Sequence, residues 1–202
     1  MHRTIASYTA RMADLVQYAR STAEKLLADA LPVRWAHVRA VGAKAEDVAC
    51  RIGLFDGADH RSLVAAAWLH DIGYSPGLVD TGFHPLDGAR WLRAAGVDTR
   101  VAALVANHSC ALVEADERSL ATVLAEDFPA ERSTVADALV YCDLTTAPDG
   151  RPVDVLDRLA ETRSRYGHGS VVGRFIDRAE GELISTVRRI EALLAHDAPP
   201  PE

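Results

Sequence analysis

Leu63-Val64-Ala65-Ala66-Ala67-Trp68-Leu69-His70-Asp71-Ile72-Gly73 is the stretch whose reading decides the fold. Seven apolar residues run without a polar break, and an imidazole and a carboxylate follow side by side. Ala and Leu favour helix. Asp59 upstream is a plausible N-cap, and Gly73 and Pro76 mark the end. A helix that is apolar on nearly every side is surrounded by protein. His70 and Asp71 at its end are therefore held in the interior, where each needs a partner.

Working outward, the flanking sequence reads as more helix. Toward the N-terminus, Ile5, Tyr8, Met12, Leu15, Val16, Ala19, Ala23, Leu26, Leu27 and Ala30 recur at three- and four-residue steps, one apolar stripe along a helix over 5–31. Pro32 ends it and opens a second helix, since proline is accepted in a first turn. That helix carries Trp35, His37, Val38, Val41, Ala45 and Val48 to about Ile52, and Gly53 to Asp59 reads as a turn. Beyond a loop from Tyr74 to Phe83, His84-Pro85-Leu86-Asp87-Gly88-Ala89 starts a helix that Gly96 closes. Asp98 is a cap for Val101 to His108. Further helices are expected at about Ala130–Thr146, Val153–Tyr166 and Ser170–Ala195, with a frayed tail from Asp197. No repeat or linker divides the chain, so the expectation is an all-α, single-domain helical bundle over residues 1–202.

Composition agrees. The chain is 49% hydrophobic but only 6% aromatic, so its core is built of Ala, Leu and Val. The net charge of −7 argues against holding long nucleic acid, which draws on clustered Lys and Arg. A small anionic substrate stays open if metal ions supply positive charge locally. Cys50, Cys110 and Cys142 show no metal-binding spacing and read as small, mostly buried thiols in a reducing compartment. No run approaches the roughly 20 apolar residues a membrane span requires. Met1-His2-Arg3-Thr4-Ile5 does not open a signal peptide. A cytoplasmic protein is expected.

His37, His70, His84 and His108 all sit at helix ends or on apolar faces. Taken singly, each has a plain reading as a hydrogen-bonded core histidine. Together with Asp71 and with Asp143, which lies in the apolar stretch Val135 to Leu144, they supply the neutral nitrogens and anionic oxygens that a divalent metal gathers from separate helices. His70 and Asp71 are roughly 100° apart on a helix, and a carboxylate can bridge two ions about 3.5–4 Å apart.

In this order, His37, His70-Asp71 and Asp143 resemble the signature of the HD superfamily of metal-dependent phosphohydrolases. Leu69-His70-Asp71-Ile72-Gly73 is close to the wording many members use. His84 and His108, the latter in Asn107-His108-Ser109, resemble the two extra histidines of members that hold a second metal. The likeness spans about Ala36 to Thr146 and is most similar to the bacterial dinucleoside tetraphosphate hydrolases with six ligands. It implies an HD core over about 32–146, with helix 5–31 and helices over 151–196 packed on it. It also implies one ion on His37, His70, Asp71 and Asp143, and a second on His84 and His108 bridged by Asp71. Fe or Mn are expected, with Mg, Co, Ni or Zn as alternatives. His70 and Asp71 would stand at the catalytic centre, where a bridging water becomes hydroxide and attacks a phosphoester or phosphoanhydride of a nucleotide-like substrate.

Two departures matter. Many family members place Lys three residues after the Asp, where this chain has Tyr74, and the Gly-Tyr-Pro motif of the cyclic dinucleotide branch is absent. Phosphate contacts are therefore sought among Arg39, Lys44, Arg158, Arg163, Arg165 and Tyr166, with Lys44 and Arg163 preferred. His168, flanked by glycines, is expected in solvent. The ligand set also suits an HD-fold di-iron oxygenase, or a module that binds a nucleotide without turning it over.

Overall fold

The computed structural model describes the backbone of residues 2–53 and 57–196, and side chains from residue 15 onward. The expected stripe positions Ile5, Tyr8 and Met12, residues 54–56 of the expected turn, and the tail from Asp197 lie outside the described side chains or residues. The chain is all-α. Its helices are α1 (His2–Leu27), α2 (Pro32–Arg51), α3 (Gly57–Leu69), α4 (His84–Ala94), α5 (Thr99–Asn107), α6 (Ala111–Glu117), α7 (Ala121–Asp127), α8 (Thr134–Leu144), α9 (Val155–Tyr166) and α10 (Val171–His196). Short 3-10 turns lie at Ile72–Tyr74 and His108–Cys110. The nearest approach to sheet among the described residues is an isolated bridge between Thr146 and Pro152. None of the described helices is long and apolar enough to cross a membrane.

The apolar stretch behaves as its composition requires: Ser62 through Leu69 are all buried. α3 is the central rod, with α1, α2, α5 and α8 packed around it. Gly42 of α2 permits a close approach to α3, because a Cβ there would stand 2.5–2.9 Å from the Trp68 indole. A second apolar cluster, made by Val140, Leu144, Val155, Leu159, Ile176 and Leu183 among others, joins α8 and α9 to α10.

Several boundaries differ from expectation, each for a local reason. α1 ends at Leu27 rather than 31. Asp59 lies inside the first turn of α3, and its carboxylate takes a 2.6 Å bond from Arg100 instead of serving as the N-cap. α8 starts at Thr134, because Ser133 caps it by accepting from the Ala136 amide. Asp154 caps α9 in the same way, moving its start to Val155. α6 and α7 fill a segment left without structure. The Asp98 cap of α5 is present, through the Arg100 amide. Of the cysteines, Cys142 alone is buried; Cys110 is half-buried and Cys50 exposed.

Candidate metal centre

The six sequence-derived residues come from five places and meet at one. His37 lies on α2, His70 and Asp71 just past the end of α3, His84 at the first position of α4, His108 at the end of α5, and Asp143 in the last turn of α8. Two features bring His84 in. Gly73 lets the Ile72–Tyr74 turn lie directly on the start of α4, since a Cβ there would collide with the His84 carbonyl oxygen and come within 2.7 Å of the Gly88 amide. Asp87, itself buried, accepts from the backbone amides of Asp80, Thr81 and Gly82 at 3.0–3.2 Å and from the Thr81 hydroxyl at 2.7 Å, pinning the loop that leads into His84.

The donor atoms form two groups. His37, His70 and Asp143 offer ligand atoms within 4.8 Å of one another, and so do Asp71, His84 and His108. The Asp71 carboxylate stands between them. Its Oδ1 is 3.3 Å from His84 Nε2, while its Oδ2 is 3.4 Å from His70 Nε2 and 3.9 Å from His37 Nε2.

The hydrogen bonds behind the cluster fix the rings. His37, His70 and His108 direct Nδ1 at the carbonyl oxygens of Ala147, Ala67 and Val105, at 3.1, 2.9 and 2.7 Å. A carbonyl only accepts, so Nδ1 carries a proton in each and, in the neutral ring, Nε2 presents its lone pair inward. The consequences show in two places. His70 Nε2 is fully buried and makes no hydrogen bond. Neutral His37 would face Asp143 Oδ1 with a lone pair at 3.1 Å, acceptor against acceptor. A cation shared among these atoms reconciles both, and an imidazole and carboxylate donor set suits a divalent transition metal.

The electrostatics point the same way. Burial pushes His70 down, but the Asp71 and Asp143 carboxylates prevail and raise it to about 9, so without metal the ring carries a second proton that a bound cation would displace from Nε2. Burial opposes ionisation of Asp71 and Asp143. Arg34, His70 and His84 nevertheless hold Asp71 well below the usual carboxylate range, and His37, His70 and His108 do so for Asp143. His84 and His108 are lowered, mainly by burial, and so stay neutral.

A cleft of about 270 Å³ opens on the cluster, reaching Asp71, His84, His108 and Asp143 at its floor. Its cations are Arg34, Arg118, Arg158 and Arg165. The preferred phosphate contacts of the sequence reading do not line it. The Lys44 ammonium is bound by the Thr145 carbonyl and hydroxyl at 2.6 and 2.8 Å, and Arg163 pairs with Asp177 and Glu180 on α10. Arg39 is also outside the lining. Arg158, Arg165 and Tyr166 are part of it, and His168 is 76% exposed.

Arg34, which the sequence reading passed over, holds Asp71 Oδ2 at 2.7 Å and lies over Tyr74, 4.1 Å from the ring centroid. Tyr74 in turn stacks on His84 at 4.0 Å. Ser109 was missed as well; its hydroxyl donates to Asp143 Oδ2 at 2.6 Å. Arg34 had a signal, since it lies one turn before His37 on the same helix face. Ser109 had none beyond adjacency to His108.

A family profile described as HD domain matches residues 34–161, from α2 into α9. No curated protein and no solved structure matches the chain.

Proposed function

Because this chain belongs to the HD domain family, we propose that it is a metal-dependent phosphohydrolase acting on a small phosphorylated compound of nucleotide type. His37, His70 and Asp143 on one side, and His84 and His108 on the other, would hold two divalent ions, manganese or iron, with Asp71 within reach of both groups. Ions bound there would acidify a water and neutralise charge on phosphoryl oxygens. The observation that carries the reading is the buried His70 Nε2, without a hydrogen bond, among five further donors, of which His37 and His108, like His70, have their rings held by backbone carbonyls.

The chain's own groups have separate tasks. Asp71 and Asp143 supply the negative charge that retains cations in a buried place. Arg34, held over the Tyr74 ring, contributes N–H donors beside Asp71 at the cleft wall, where a phosphoryl oxygen would accept them. Arg34 and Tyr74 thereby stand in for the lysine that many family members carry. Lys44 and Arg163 remain supports of the surrounding elements in this reading.

Metal analysis of the purified protein, followed by a phosphate-release screen with manganese or ferrous iron over mononucleotides, dinucleoside polyphosphates and guanosine polyphosphates, tests it. About two metal equivalents and metal-dependent release are expected, with both lost in Asp71→Ala. Full activity in metal-free protein refutes the reading.

A further inference from the structure

A groove of about 590 Å³ lies apart from the His/Asp cluster, lined by α1, α2, the end of α3 and the turn that follows α8. Trp68 forms its floor, only 9% exposed, and Trp35 stands partly exposed beside it, with the ring centroids 5.9 Å apart. Ala36, Ala40 and Ala43 line the α2 side, where longer side chains would fill the space. A flat ring laid against the indoles removes apolar area from water and gains aromatic contact besides.

An arginine stands over each indole, Arg20 at 5.6 Å from the Trp68 centroid and Arg39 at 6.0 Å from that of Trp35. Arg34, Arg118, Arg158 and Arg165 of the metal cleft all pair with carboxylates. Arg20 and Arg39 have no such pair among the described residues, although Glu24 lies one turn from Arg20 in the same lining. Contact with a ring engages the charge of a guanidinium and leaves its N–H donors unspent. An anion is the ligand that uses them. Glu24 and Asp149 also border the groove, so each further negative charge on a ligand meets repulsion as well as attraction. A single charge fits best. We propose that this groove binds a planar aromatic carboxylate, its ring against Trp35 and Trp68 and its carboxylate accepting from Arg20 and Arg39. The site shares no residue with the cluster and does not depend on the hydrolytic reading.

Calorimetry on the full chain tests it with 2-naphthoate, cyclohexanecarboxylate, which lacks the aromatic ring, and 2-naphthalenemethanol, which lacks the charge. The naphthoate is expected to bind about tenfold more tightly than either, the worth of one charge-assisted bond or one ring contact. This series needs no variant. Arg20→Glu with Arg39→Glu, both at exposed positions and checked for fold by circular dichroism, should weaken the naphthoate at least about tenfold. Asp71→Ala should leave its affinity unchanged. Equal binding of the three compounds, a dissociation constant for the naphthoate weaker than about 1 mM, or affinity indifferent to the double reversal overturns the site. Loss of naphthoate binding in Asp71→Ala would place the ligand at the cluster and overturn it too. If the double reversal costs 2-naphthyl phosphate more than the naphthoate, the groove takes phosphate esters and the carboxylate assignment fails.

Discussion

Ser109 and Cys110 are consecutive non-glycine residues in the left-handed region, with φ of 49° and 58°. Backbone of this kind costs roughly 1–2 kcal/mol per residue, and it recurs where a side chain must be aimed. Here the kink ends one helix at His108 and turns the Ser109 hydroxyl onto Asp143 Oδ2, leaving Oδ1 toward His37. The hydroxyl and the backbone make separable contributions. Ser109→Ala keeps the strain and loses the bond; Ser109→Gly loses both. Metal affinity is expected to fall about 10–100-fold in each, as when a partner of a ligand is removed. In thermal melts of the metal-free proteins, Gly should be the more stable of the two by about 1 kcal/mol. Equal metal affinity in Ser109→Ala and the unaltered protein would show that the hydroxyl does not orient Asp143.

Between elements, the decisive contact is the seat of α4 on the Ile72–Tyr74 turn. Gly73→Ala pushes a methyl into the His84 carbonyl. His84 should move away while His37, His70 and Asp143 keep their places, so metal analysis is expected to fall from about two equivalents toward one. Retention of both equivalents would count against the seat. Asp87→Ala removes the buried acceptor of three backbone amides in an otherwise largely exposed loop; a loss of about 1 kcal/mol in denaturant unfolding is expected. What the sequence discloses follows the same division. His70, Asp71, His84 and His108 were legible because each interrupts or ends an apolar run, and Asp143 because a carboxylate in Val135 to Leu144 is otherwise too costly. α6 and α7 were not, because seven-residue helices with one or two buried positions carry no readable period. The cleft arginines were not sorted either. Long cationic side chains pair with whatever carboxylate the tertiary structure brings near, as Arg163 does with Asp177 and Arg34 with Asp71.

At the scale of the molecule, the cluster ties α2, α3, α4, α5 and α8 at one point, linking residues as far apart as His37 and Asp143. An ion there binds the folded chain and finds no such cage in the unfolded one, so it stabilises by mass action. The fold does not depend on it outright: Leu63, Leu69, Ile72, Phe83, Leu86 and Leu139 are fully buried around α3 without contributing a ligand. Arg34 and Ser109 also keep Asp71 and Asp143 partnered in the metal-free state. Chelated protein should therefore remain helical by circular dichroism yet melt lower. At free metal about 100 times its dissociation constant the gain is about 2.7 kcal/mol, which for a chain of this size shifts the midpoint by roughly 5–10 °C. The protection should also be uneven. α10 packs on the second apolar cluster and supplies no donor, so hydrogen exchange is expected to slow on metal addition in α2, α4 and α8 more than in α10. A melting midpoint indifferent to saturating manganese and iron would mean that the six side chains meet for packing, not for a cation.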